Sequence, residues 1–325
     1  MRNCFTVVFA AVVCLTSTAQ LAAQRYSFER TLDAADQATV DVTTERGRID
    51  VSTGEARQVT VRGTVTVRVG LNVPLDAVAI AKRVAANPPI QRENGTIRLR
   101  PPVGDDERRA VTIAYEVIAP KDARVVTRTD SGATTVRDVS GAVSVSTQSA
   151  AIDLRDLGGS AEIRTGSGGV RASSIGGDVN VSTESSSITL RNLKSGLRAR
   201  TQSGAVNVNF VGKGDVDVET GSSAIDLSAV NGGLSVTSSS GAIRVTGVPV
   251  SPWRVGSGSS RIELGIDRNT TFTLDARSDS SDVELDGFAV DGTTKKGVAA
   301  GNVRGGGPMV RAASRSGRIR VGLRP

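Results

Sequence analysis

From Thr129 onward, apolar and polar residues alternate in short runs separated by Gly, Ser, Asn and Asp. In the unit Thr147 to Arg164, Ile152 and Leu154 flank Asp153, Leu157 precedes Gly158-Gly159, and Ala161 and Ile163 flank Glu162. The next unit repeats the pattern with Val170, Ala172, Ile175, Gly176-Gly177, Val179 and Val181. Alternation with period two predicts strands, and the small polar residues between them predict turns. A Thr/Ser-x-Ser signature marks each unit, starting at Thr129, Thr147, Thr165, Thr183, Thr201, Thr220, Ser238, Ser257, Ser278 and Ser314. The steps are 18, 18, 18, 18, 19, 18, 19, 21 and 36 residues. The last is twice 18, so it hides a degenerate rung or an insertion.

A unit this short cannot bury its own apolar face, but stacked units bury a continuous core. The predicted fold is all-β: a parallel β-helix, or β-solenoid, with ~18-residue coils stacked ~4.8 Å apart. A sandwich of short hairpins competes, but hairpins give no reason for so constant a spacing. The phase of Val179-Val181-Thr183 points the Thr/Ser column inward, at a corner where small hydroxyls bond to neighbours or backbone.

Residues 24–128 read differently. Strands are predicted where Val40, Val42, Ile49, Val51, Val59, Val61, Val65, Val67 and Val69 alternate, and Thr44-Glu45-Arg46-Gly47 resembles the repeat corner. A short helix is predicted over 74–86, with Pro74 near its start and Pro88-Pro89 ending it. Pro101 to Arg109 is expected to be a charged loop, followed by a strand from Val111 to Val117. The organisation expected is a β-rich N-terminal capping module with one helix (24–128), then solenoid repeats (129–325) with a Gly-rich insertion near 287–313 and a basic end. A cap protects strand edges and core that a bare end coil would expose.

Met1-Arg2-Asn3, the mostly apolar run Cys4 to Leu15, and Leu21-Ala22-Ala23 make the three-part pattern of a secretory signal peptide over residues 1–23. A lipoprotein reading would centre on Cys14, but the residue before it, Val13, is not small. Both cysteines lie in this segment, so the remainder would enter an oxidising compartment without disulfides. No later run approaches the roughly 20 apolar residues of a membrane span. The expected location is periplasmic, envelope-associated or secreted.

The chain of 325 residues contains no histidine. This removes Ser-His-Asp and Cys-His catalysis and histidine-based zinc sites. Aromatic residues are 3% of the chain, too few for base-stacking folds, so no specific nucleic-acid partner is expected. No cofactor or metal site is expected either. The formal charge of +7 is uneven. Residues 292–325 carry +8 and Arg2 carries one charge, which leaves −2 over residues 24–291.

Two clusters carry candidate chemistry. Asp279, Asp282, Glu284 and Asp286 lie close together, and the last three should point outward from one strand. Clustered carboxylates of this kind serve β-helix enzymes that cut polysaccharides. Unit-by-unit alignment instead puts Asp153 beside Arg171 and Arg244 between Asp226 and Glu263, as ordinary cross-strand pairing would. It leaves Glu263 beside Glu284 as a like-charged pair. The second cluster is the basic tail, in which Arg304, Arg311, Arg315, Arg318, Arg320 and Arg324 are candidate contacts for an anionic lipid, lipopolysaccharide, wall polymer or, without sequence specificity, nucleic acid. The alternative is a solvated end coil whose charges block end-to-end stacking. Gly166-Ser167-Gly168-Gly169 and Gly305-Gly306-Gly307 open no helix and lack a phosphate-loop lysine. Trp253 reads as a packing residue.

The stretch Val111 to Gly132, VTIAYEVIAPKDARVVTRTDSG, followed by the Thr-x-Ser-Gly repeats, resembles the putative-adhesin family of exported bacterial β-strand-repeat domains of unknown function. The resemblance implies a β-solenoid in the cell envelope and supplies no catalytic residues. The expected function is a non-enzymatic scaffold or adhesin-like binding module, with an envelope polymer or protein as partner. The alternatives are a glycan-active hydrolase or lyase using the outward carboxylates, and an anionic-surface binder using the C-terminal arginines.

Overall fold

A computed structural model describes residues 24–55 and 57–324. The signal-peptide expectation for 1–23 lies outside the described residues. The chain forms two long sheets of 14 and 15 strands that face each other across one apolar core. Each repeat contributes one strand to each sheet. Strand Val143–Thr147, for example, pairs in parallel with Arg124–Thr129 and Ala161–Thr165, while Ile152–Leu157 pairs with Thr134–Arg137 and Val170–Ile175 in the other sheet. Inward positions are Val, Ile, Leu and Ala and are buried; outward positions are polar. This is the β-solenoid the periodicity predicts.

The Thr/Ser column is a ladder in strict register. In spatial order it runs Thr44, Thr129, Thr147, Thr165, Thr183, Thr201, Thr220, Ser238, Ser257, Ser314, Ser278. All eleven are buried. Ten of their hydroxyls accept the backbone N–H three residues on, which fixes the corner. Thr220 is the exception, and its Oγ1 finds no partner among the described residues. Thr44 begins the ladder, so the solenoid starts with strands Thr39–Thr44 and Ile49–Thr53, and residues 54–123 are an excursion between its first and second coils.

That excursion closes the N-terminal end. Strands Val111–Ala119, Gln58–Val67 and Arg25–Asp33 extend one sheet, the last two joining antiparallel. Strands Thr96–Leu99 and Ile90–Glu93 extend the other through a tight hairpin in which Asn94 and Gly95 both take positive φ. Helix α1 (Ala77–Ala86) buries Ala77, Ile80, Ala81 and Val84 against the first extension. The expected charged loop contains a second helix, α2 (Asp105–Ala110). Three acids in its first turn and two arginines in its last favour the helix dipole, which outweighs the loop reading of that charge run.

The C-terminal end departs from sequence order. After the coil Trp253–Ser257/Ile262–Asp267 the chain skips one place and builds the coil Phe272–Ser278/Val283–Asp286. It then forms an antiparallel extension, Asp291–Lys295 with Val298–Val303, and returns. The final strands, Met309–Ser314 and Ile319–Arg324, fill the skipped place, each pairing in parallel on both sides. The 36-residue step therefore hides an insertion, and the coil after it is next to last in space.

The residues three after the ladder hydroxyls follow the same spatial order: Gly47, Gly132, Ala150, Gly168, Ser186, Gly204, Ser223, Gly241, Ser260, Gly317, Ser281. From Gly132 onward Gly alternates with Ala or Ser. A Cβ on Gly168, Gly204, Gly241 or Gly317 would collide with the carbonyl oxygen of the preceding coil's Ala150, Ser186, Ser223 or Ser260. Ser223 and Ser281 donate their hydroxyls to the carbonyls of Ser203 and Ser316, the residues just before the adjacent glycines. Two corner shapes thus alternate along the stack, and Gly317 lies between Ser260 and Ser281.

Candidate binding surface

Outward side chains are organised by the parallel register, which sets equivalent residues one strand spacing apart. Arg244 lies between Asp226 and Glu263 as expected, pairing with Glu263 at 2.9 Å and more loosely with Asp226 at 3.9 Å. Asp153 and Arg171 are register neighbours, but Asp153 bonds Arg155 on its own strand instead. The like-charged pair Glu263–Glu284 does not form. Arg320 stands between them because the last coil is inserted there.

The same insertion decides the acidic cluster. Glu284 pairs with Arg318 at 3.1 Å, and Asp286 with Arg320 at 2.6 Å. The neighbouring Asp286 carboxylate raises the affinity of Arg320 for its proton, first through the hydrogen bond and then through charge. Carboxylates held by guanidinium groups on an exposed sheet are poor acids and bases. No group of three or more acidic, Cys or His side chains is placed to hold a metal among the described residues.

The six C-terminal arginines do not form one site. Arg311 projects from one sheet and binds Asp275 at 3.2 Å, while Arg318 and Arg320 project from the other. Arg304 sits at the end of the antiparallel extension and Arg315 at the ladder corner. The Arg324 carbonyl accepts a bond from Arg268 where the chain crosses over the skipped place. Charge that forms one run in sequence is spread over both faces and partly neutralised.

Sequence reasoning missed a groove. It runs across the corners that lead into strands Ala161–Thr165 through Trp253–Ser257, with a volume of about 930 Å³. Glu162, Asp178, Arg198, Asp215, Asp217 and Arg254 line it. Its signal was the recurring small-residue step before each strand, Gly177-Asp178, Ser195-Gly196 and Gly214-Asp215, read only as turns. Asp178 accepts the Ser195 hydroxyl and the Gly196 amide (2.9 Å), and Asp215 accepts the Gly233 amide (2.9 Å). The Ser195 hydroxyl, then the Gly196 amide, hold the Asp178 carboxyl below the usual carboxylate range. Arg198 pairs with Asp217 at 3.3 Å. The groove offers donors and acceptors of both charges on a rigid floor, suited to a polar, extended ligand.

Residues 160–322, half of the chain, match the Toastrack domain family, DUF4097, and include both the groove and the reinserted coil. The chain belongs to this Toastrack family. The family match begins within the regular coils, at strand Ala161–Thr165, and ends two residues before the chain's last described residue. Solved structures similar to this Toastrack chain include a putative cell adhesion protein from Clostridium sporogenes ATCC 15579, at 9% identity, covering 93% of this chain and 100% of that one with a TM-score of 0.21. A putative adhesin from Bacteroides fragilis NCTC 9343 is 12% identical over 92% and 97% of the two chains, with a TM-score of 0.27. A putative adhesin from Parabacteroides distasonis ATCC 8503 is 9% identical over 92% and 97%, with a TM-score of 0.29. At such scores the likeness says nothing about what this chain binds. No curated protein matches the chain in sequence. Among the described residues no helix is long and apolar enough to cross a membrane.

Proposed function

We propose that this Toastrack protein is an exported, non-enzymatic binding module of the cell envelope, a rigid rod that holds a polar polymer or protein partner along one row of corners. The observation that carries the reading is the groove of about 930 Å³ shared by successive coils, whose acidic groups are already bonded to backbone amides or arginines. A surface built this way recognises a ligand through repeated, equally spaced polar contacts and has no free acid–base pair to drive bond cleavage. Export rests on the N-terminal segment 1–23, with its apolar run and small-residue end. Binding of purified protein to a panel of envelope glycans and peptidoglycan tests it. Arg198→Glu with Arg254→Glu is expected to weaken the best binder at least tenfold without lowering thermal stability. Turnover of a glycan, abolished by Glu284→Gln or Asp286→Asn, would replace this reading with the hydrolase or lyase one.

A further inference from the structure

We propose that strand Arg25–Asp33 is a self-recognition edge: it pairs antiparallel with the same strand of a second copy, joining two rods at their N-terminal ends. Among the described residues, four strands lie at sheet edges: Arg25–Asp33, Ile90–Glu93, Val283–Asp286 and Asp291–Lys295. The first, with nine residues, is the longest.

The phase of its backbone is fixed by its neighbour. Gln24 C=O accepts the Val67 N–H at 2.9 Å, and Ala34 N–H donates to Arg57 C=O at 2.7 Å. Even-numbered residues of the strand therefore bond strand Gln58–Val67. The amides and carbonyls of Arg25, Ser27, Glu29, Thr31 and Asp33 point the other way, where no strand follows. The Arg30 guanidinium bonds one of these groups, Glu29 C=O, at 2.8 Å, and also holds Ala86 C=O at 2.9 Å. An unpaired edge of this length is a template for another strand.

The order of side chains selects the occupant. With Glu29 of one copy opposite Glu29 of the other, Arg25 faces Asp33, Ser27 faces Thr31, and the same pairs recur across the two-fold axis. These are the residues whose backbone groups point outward, so each pair exchanges two bonds and the strand gains about ten. A slip of one residue sets outward groups against inward ones and loses the ladder. A slip of two parts Arg25 from Asp33. Both of these side chains are exposed, and neither has an ionic partner within its own chain among the described residues. The like charges on the axis are offset, because each Glu29 already pairs with Arg62 at 3.3 Å. On the opposite face, half-buried Tyr26 of one copy meets half-buried Leu32 of the other. Charges on an edge ordinarily prevent pairing. Here they run from positive to negative along the strand, which a second copy in antiparallel orientation matches.

A two-fold contact of this kind closes on itself and gives a dimer, not a filament. Both copies keep their row of corners, so a repeating ligand would meet two grooves on one particle. The pairing lies outside the groove and stands whatever the groove binds.

Sedimentation velocity of the full chain over a dilution series tests it. The parent is expected to pass from dimer to monomer on dilution. Arg25→Asp sets like charges together at two symmetric places and should raise the dissociation constant about tenfold; Asp33→Arg should do the same. The combined Arg25→Asp/Asp33→Arg variant restores opposite charges and should return to the parent value. Ser27→Pro removes an amide that the single rod does not use, so it should stay monomeric, with parental melting at dilutions where the parent is itself monomeric. A parent that is monomeric throughout, a dimer indifferent to Arg25→Asp, a double swap that stays weak, or a Ser27→Pro variant that still dimerises overturns the proposal.

Discussion

The two ends of the rod solve one problem in opposite ways. At the N-terminal end the chain leaves the stack after Ile49–Thr53, builds extra strands and α1, and resumes at Arg124–Thr129 in the next place, so coils follow sequence order. At the C-terminal end it skips a place, builds the outermost coil, and comes back to fill the gap. The first end is closed by material added outside the repeats. The second is locked by the last repeat itself, paired on both sides. Parallel stacking of equivalent coils fixes neighbours only through their contacts, so the chain can visit places out of order wherever corner shape and charge specify them.

The largest effect should come from removing the locking coil. Truncation before Met309 deletes the two strands that join the outermost coil to the rest of the stack and leaves Glu284 and Asp286 without Arg318 and Arg320. Limited proteolysis is expected to cleave freely within 268–308 while coils up to Asp267 stay protected, because repeat stability is a sum over neighbours. Protection spreading unchanged through 268–308 would mean the outer coil docks directly on the one before the gap. Trp253→Ala comes next. The side chain is fully buried beside the skipped place and its Nε1–H donates to Gly232 C=O at 3.0 Å, so chemical denaturation should show a loss of about 3–5 kcal/mol.

Gly317→Ala sharpens the comparison further. The added methyl collides with Ser260 C=O, and a loss of about 1–3 kcal/mol is expected. Ser281→Gly, which puts two glycine corners in succession, should cost less, since Gly47 and Gly132 already stack so at the other end. Ala229, in left-handed conformation at φ 60 on an exposed corner, gives a stabilising change: Ala229→Gly should raise stability by about 1 kcal/mol in the same assay. The smallest effect is electrostatic. Asp178 has a depressed folded pKa, so its contribution is present above the unfolded carboxylate value and is lost as pH falls through the folded one. Melting curves from pH 5 down to pH 2 should show parent and Asp178→Asn converging in acid; a constant offset would remove Asp178 from the corner's energetics.

Much of this was legible in the chain. Period-two runs gave the strands, the 18-residue step gave the coil, and the phase of Val179-Val181-Thr183 put the hydroxyls inside. The Thr44-Glu45-Arg46-Gly47 corner marked the first coil from inside the irregular region. The ion pairs of Glu284 and Asp286 were not legible, because a carboxylate's neighbour in a parallel stack is chosen by coil order and not by sequence distance. The groove was missed for a related reason: small residues at each corner look like turns one at a time and become a surface only when stacked.

The sequence by itself determined the strand period, the coil length, the buried face and the place of the hydroxyl ladder. These depend on residues close together in the chain, where alternation and turn chemistry act directly. Only the tertiary structure decided that the last coil lies next to last, that the basic tail divides between two faces, and that the corner residues stack into one groove. Each of those depends on which distant segments become neighbours, and that choice is made by packing: Gly317, lacking a Cβ, leaves room for the carbonyl of Ser260, and Arg320 fits between Glu263 and Glu284, nowhere signalled by local pattern.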